Sequence, residues 1–117
     1  MKVIVTGGRN YGQNEDEIIA LFNALESLSP TIIIQGGASG ADSLAKAWGI
    51  AAGLEVITVA ADWKTYGKSA GPIRNRKMLT EYTDAIVLAT PGGKGTENCI
   101  ETARQLNMSI ILLKDIL

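Results

Sequence analysis

Three apolar runs, each closed by a glycine pair, constrain the fold more than any other feature of the chain. Val3-Ile4-Val5 ends at Gly7-Gly8, Thr31-Ile32-Ile33-Ile34 at Gly36-Gly37, and Ala85-Ile86-Val87-Leu88-Ala89 at Gly92-Gly93. Short β-branched runs bounded by turn residues read as strands. Beyond each glycine pair, apolar residues recur at helical spacing. Ile18, Leu21, Phe22, Leu25 and Leu28 share one face, then Ala41, Leu44, Ala45, Trp48 and Ala52, then Cys99, Ile100, Ala103 and Leu106. Strands that are apolar throughout and alternate with helices belong in a parallel sheet covered on both faces.

The remaining segments complete the pattern. Asn14 or Asn10 caps the first helix and Pro30 stops it. Gly53 sits where a left-handed residue would close the second helix. Glu55-Val56-Ile57-Thr58-Val59 is a third strand. An irregular stretch from Ala60 to Gly71 follows, and a helix starts near Pro72 and runs to about Glu81. The last helix ends around Asn107, and Ser109-Ile110-Ile111-Leu112-Leu113 is a fifth strand. With right-handed crossovers, the expected fold is a three-layer α/β/α domain over residues 1–117, with a parallel sheet in the order 3-2-1-4-5. In that order the three strands that end in Gly-Gly are neighbours, and their turns line one crevice at the switch point, where such sheets bind ligands.

Composition narrows the chemistry. The chain has one cysteine and no histidine, which excludes a disulfide framework, His- or multi-Cys zinc sites and any Ser-His-Asp triad. No metal constellation is visible, and no cofactor is evident. Magnesium would enter only through ligand phosphates. The net charge of −1 gives no overall footprint for nucleic acid. No segment reaches the roughly 20 apolar residues of a membrane span, and the N-terminal apolar run is too short for a signal sequence. The expectation is a cytoplasmic protein.

Within the crevice the residue types point to an anionic ligand. In Pro91-Gly92-Gly93-Lys94-Gly95-Thr96, glycines let the backbone approach closely while free N–H groups and the helix dipole face the ligand. Lys94 adds a cation and Thr96 a hydroxyl. The loop is neither a Walker A nor a G-x-G-x-x-G sequence. Gly7, Gly8 and Arg9 form a second wall, where Arg9 can pair with phosphate bidentately. Gly36 and Gly37 form a third. Ser39 and Asp42 have the spacing of a capping box, and Asp42 is equally a candidate for ribose hydroxyls or water activation. Arg74, Asn75 and Arg76 are further ligand candidates. Arg74 and Arg76 would diverge by about 160° if both were helical, so both reach one ligand only from a loop. Tyr11, Trp63 and Tyr66 are candidates for stacking on a base or for anchoring loops. Trp48 and Cys99 read as core.

These motifs carry a resemblance. Gly7-Gly8-Arg9-x-Tyr11, Gly36-Gly37-Ala38-x-Gly40-Ala41-Asp42, Ala70-Gly71-Pro72-x-Arg74-Asn75-x-x-Met78 and Pro91-Gly92-Gly93-x-Gly95-Thr96 resemble the YspA/YpsA-related (YAcAr) branch of the SLOG superfamily. The superfamily includes the Lonely-Guy (LOG) cytokinin-activating enzymes, once named lysine decarboxylases, and the DNA-processing protein DprA. The resemblance implies a Rossmann-like domain that binds nucleotides or nucleotide-derived ligands, in some branches as a sensor, and a homodimer or larger assembly. LOG enzymes cleave the N-glycosidic bond of nucleoside 5′-monophosphates, using the glutamate of Pro-Gly-Gly-x-Gly-Thr-x-x-Glu and an arginine in a segment like Arg76-Lys77. Here the glutamate position is Cys99, with Glu97 and Glu101 nearby but out of register. A glycosidase would therefore rely on Glu97, Asp42 or Asp62 as its carboxylate. Single-strand binding like that of DprA is not favoured at this net charge.

Overall fold

A computed structural model describes residues 1–116. Five parallel strands, β1 (Lys2–Thr6), β2 (Ile32–Gln35), β3 (Glu55–Thr58), β4 (Ile86–Ala89) and β5 (Ile110–Leu112), form one sheet in the order β3-β2-β1-β4-β5. This is the expected order. At the centre Val3 lies between Ile33 and Ile86, and Thr6 pairs with Ala89 at the carboxyl end.

Alternation along each strand sends successive side chains to opposite faces, so an all-apolar strand feeds two cores. On one face Val3, Val5, Ile33 and Leu88 pack under α1 (Glu15–Leu28) and α2 (Ala41–Ala51). On the other, Ile4, Ile34 and Val87 pack under α4 (Ala70–Glu81) and α5 (Lys94–Gln105). Chain direction and crossover handedness thereby place every strand–helix turn at one end of the sheet.

Helix ends follow local chemistry. Asn14, not Asn10, caps α1: its Oδ1 accepts from the Glu17 N–H at 3.0 Å. Glu17 returns the bond, its Oε1 accepting from the N–H groups of Gly12 and Gln13 at 3.1 and 2.9 Å. Gly53, with φ +75°, follows α2 as expected.

The stretch from Ala60 to Gly71 is more ordered than its sequence suggests. Asp62 caps a one-turn helix, α3 (Trp63–Tyr66), accepting from the Thr65 N–H at 3.1 Å, and a 3-10 turn over Gly67–Ser69 leads into α4. α4 begins at Ala70, two residues before Pro72. Pro72 therefore occupies the first turn, where a missing N–H leaves no bond unmade.

Candidate functional site

The three glycine turns interlock at the carboxyl end of the sheet. The Gly8 N–H donates to the Pro91 carbonyl at 2.9 Å, joining the β1 and β4 turns. The Gly8 carbonyl accepts from the Ala41 N–H at 3.2 Å, joining the β1 turn to α2. Gly40 is the N-cap of α2, with φ +74°. A Cβ there would collide with the Gly8 and Arg9 carbonyl groups, so only glycine lets the two turns meet. Ser39 Oγ donates to the Arg9 carbonyl at 3.1 Å across the same seam.

The Ser39–Asp42 capping box does not form. Asp42 turns back beneath the β2 turn, where its Oδ2 accepts from the N–H groups of Gly36 and Ala38 at 3.1 and 3.2 Å. Its side chain is buried. Burial raises its pKa, opposed by the Ala38 N–H, the Arg74 charge, the Gly36 N–H and the Arg9 charge.

Arg74 and Asn75 tie this floor to the opposite wall. Arg74 Nη1 donates to the Gly36 carbonyl at 2.6 Å and its Nε to Asn75 Oδ1 at 2.8 Å. Asn75 Nδ2 donates in turn to the Gly95 carbonyl at 3.2 Å and to Asn98 Oδ1 at 3.1 Å. A buried amide thus fixes the start of α5 against α4.

Between these walls lies a cleft of about 470 Å³, lined by Gly7, Arg9, Asp42, Trp63, Arg74, Asn75, Gly93, Lys94, Gly95 and Thr96, among others. That volume falls in the range of small-ligand sites. A second chamber of about 330 Å³ adjoins it and shares Arg9, Ala38, Trp63 and Arg74. The N-terminus of α5 opens on the larger chamber. Gly93, its N-cap, makes no side-chain bond, and the first intrahelical bond runs from the Glu97 N–H to the Gly93 carbonyl. The N–H groups of Lys94, Gly95 and Thr96 therefore remain available, as the first turn of a helix leaves them.

Several expected residues are placed elsewhere. The amides of Gly8, Gly36 and Gly37 are spent within the protein, that of Gly37 on Gln35 Oε1 at 2.6 Å. They build the floor, and their N–H groups are already hydrogen-bonded, although Gly36 and Gly37 line the second chamber. Gly92 packs close to Thr96 and the Gly8 nitrogen. Arg76 is helical, lies outside both chambers in an outer groove along α4, and reaches Gln105 Oε1 of α5 at 3.4 Å. The angular argument for two arginines two residues apart holds, and Arg74 is the one directed to the cleft.

Tyr11 offers no ring to a base: it is buried under α1 and α2, and its hydroxyl donates to the Glu17 carbonyl at 2.8 Å. Burial, with a smaller contribution from Glu17, raises its pKa. Tyr66 is exposed and lines neither chamber. Trp63 does line both, with the Arg9 guanidinium 5.2 Å from its ring centroid.

Glu97 is exposed and outside the cleft lining, and Cys99 is fully buried in the α4/α5 core. Burial pushes the Cys99 thiol up to about 11, against a weaker opposing bond from Thr6, so it stays a neutral core side chain. Of the three carboxylates singled out in the sequence, the cleft lining receives only Asp42; Asp62 instead caps α3.

Lys68, Thr6 and Asn98 also line the cleft, and the sequence did not single them out as ligand contacts. Asn98 had a legible signal, since it follows Lys94 by one helical turn. Lys68 had none, because its position depends on the turns inserted before α4.

The model of the YspA, cpYpsA-related SLOG family matches residues 1–66, more than half of the chain. The Gene 61 protein of Mycobacterium phage D29 is 32% identical over 123 residues, covering 97% of each chain. Among solved structures, TM1055 superposes with a TM-score of 0.72 at 20% identity, over 93% of this chain and 71% of that one. DNA processing protein A (DprA) from Streptococcus pneumoniae gives a TM-score of 0.54 at 16% identity, over 98% of this chain but only 60% of its own length. At such identities the two structures speak to the fold alone.

Proposed function

Since the chain belongs to the YspA, cpYpsA-related SLOG family, we propose that it binds a nucleotide or nucleotide-derived ligand in the cleft at the carboxyl ends of β1, β2 and β4, with binding as the output, as in a sensor. One observation carries this reading. The uncapped N-terminus of α5, with three available N–H groups, faces a cleft that also holds Arg9, Arg74 and Lys94. A phosphate group satisfies those donors and the helix dipole together. Trp63 and the adjoining chamber supply surface for the rest of the molecule.

The same cleft is poorly equipped for glycoside cleavage. An oxocarbenium-like transition state needs an ionised carboxylate beside the sugar, and a partner acid for the leaving group. Cys99 occupies the LOG glutamate position as a buried thiol, Glu97 faces solvent, and Asp42 has its Oδ2 committed to two backbone N–H groups.

The test pairs calorimetric titration of nucleoside monophosphates, diphosphates and triphosphates with chromatographic assay of free base. Saturable binding without base release is the expected result. Base release that disappears in Asp42→Asn would transfer the protein to the hydrolases. Absence of binding by every nucleotide at millimolar concentration would refute the reading.

A further inference from the structure

The charge of the cleft exceeds what one phosphate requires. Arg9, Lys68, Arg74 and Lys94 line it, each from a different part of the chain. Among the described residues none of the four forms a salt bridge, whereas Lys2 and Arg104 do. The single carboxylate in the lining is Asp42, and its Oδ2 is occupied by backbone N–H groups. The adjoining chamber contains Arg9 and Arg74 and no acidic residue. This concentration of positive charge sits on a chain whose net charge is −1.

The cations are also spread out. Lys94 stands at the N-terminus of α5, while Arg9 is held over Trp63 and Arg74 is anchored on the Gly36 carbonyl, both at the junction of the two chambers. Thr96, 6% exposed, lines the cleft, and its hydroxyl makes no hydrogen bond among the described residues. It therefore presents a free polar group beside the α5 amides.

We infer that the ligand carries two or more linked phosphates, one seated against Thr96 and the α5 N-terminus and the next directed to Arg9 and Arg74 at the chamber junction. This rests on the nucleotide-binding reading and adds the number of phosphates. A monophosphate would leave part of the cationic lining unpaired. A pyrophosphate satisfies both ends, and a group attached beyond it enters the second chamber.

The experiment is calorimetric titration at low salt in EDTA, using inorganic phosphate and pyrophosphate first. Adenosine, guanosine, cytidine and uridine 5′-mono- and diphosphates follow, then the corresponding dinucleoside diphosphates. One additional charge-assisted hydrogen bond gives about a tenfold gain or more. Pyrophosphate and at least one diphosphate are therefore expected to bind ten or more times tighter than their monophosphate counterparts, with a steeper loss of affinity as salt rises.

A preference for the dinucleoside diphosphate over the nucleoside diphosphate would identify the bridged form; the opposite preference would identify a terminal diphosphate. Arg9→Gln and Lys68→Gln, both at exposed positions, are expected to shrink the gap between diphosphate and monophosphate. Arg76→Gln, outside the cleft, is the control expected to change neither. Equal affinity for mono- and diphosphates overturns the inference while leaving the binding reading intact. Arg76→Gln matching the loss in Arg9→Gln also overturns it, as does an oligothymidylate that outcompetes pyrophosphate. Failure of every phosphate compound to bind would instead remove the reading beneath it.

Discussion

Asp42 and Cys99 show how far one residue's surroundings decide its chemistry. The pKa of Asp42 is raised by burial from 3.8, so its ionisation opposes folding. Its contribution is fully present below the unfolded value and is lost as pH rises through the higher folded value. Asp42→Asn keeps an oxygen to accept the Gly36 and Ala38 N–H groups and removes that dependence. Its urea midpoint should stay flatter than wild type as pH rises above 3.8, and its affinity for anionic ligands should rise; a midpoint profile parallel to wild type would contradict this. For Cys99 the thiol rises from 9.0 to about 11. Stability is thus intact below pH 9 and declines between these values, by up to about 2–3 kcal/mol. Cys99→Ala should lose that part of the alkaline decline while the part due to Tyr11 remains. In the native protein the thiol should resist alkylation at pH 8, and rapid labelling would show that it is not buried as described.

At the scale of elements, the helix ends and turns make separable predictions. Removing the α1 cap by Asn14→Ala should cost about 0.5–2 kcal/mol in the urea midpoint and leave ligand binding unchanged, because that cap lies outside the cleft lining. Gly40→Ala should cost about 1–3 kcal/mol from its φ of +74° alone, with more from the collision against the Gly8 carbonyl. It should also weaken binding, because the β1 and β2 turns no longer close on each other; an unchanged midpoint would contradict this seam. What was legible in the sequence follows the same division. Strand order and the two-faced core were readable because Val3-Ile4-Val5 and its counterparts encode period and burial directly. The turns α3 and Gly67–Ser69, and the pairing of Asp42 with the β2 turn in place of a capping box, were not readable. They depend on Asp62 as a cap and on tertiary contacts with Gly36 and Ala38, which local spacing does not express.

For the whole molecule, the parallel order brings the three glycine turns to one end of the sheet, and the interlocked turns hold the α5 N-terminus against a cationic cleft. The wall formed by Gly93, Lys94, Gly95 and Thr96 could be anticipated from the loop sequence. The displacement of Tyr11 into the core could not, nor which of Arg74 and Arg76 turns to the outer groove, since each is settled by which side of its element meets the protein interior. The central claim is that a nucleotide binds in this cleft, and amide chemical-shift mapping during a nucleotide titration tests it most directly. The account predicts saturable shifts concentrated at Lys94, Gly95 and Thr96, with further shifts around Arg9 and Arg74 and none in the outer groove around Arg76. Saturable shifts confined to the outer groove, or no shifts with any nucleotide, would contradict it.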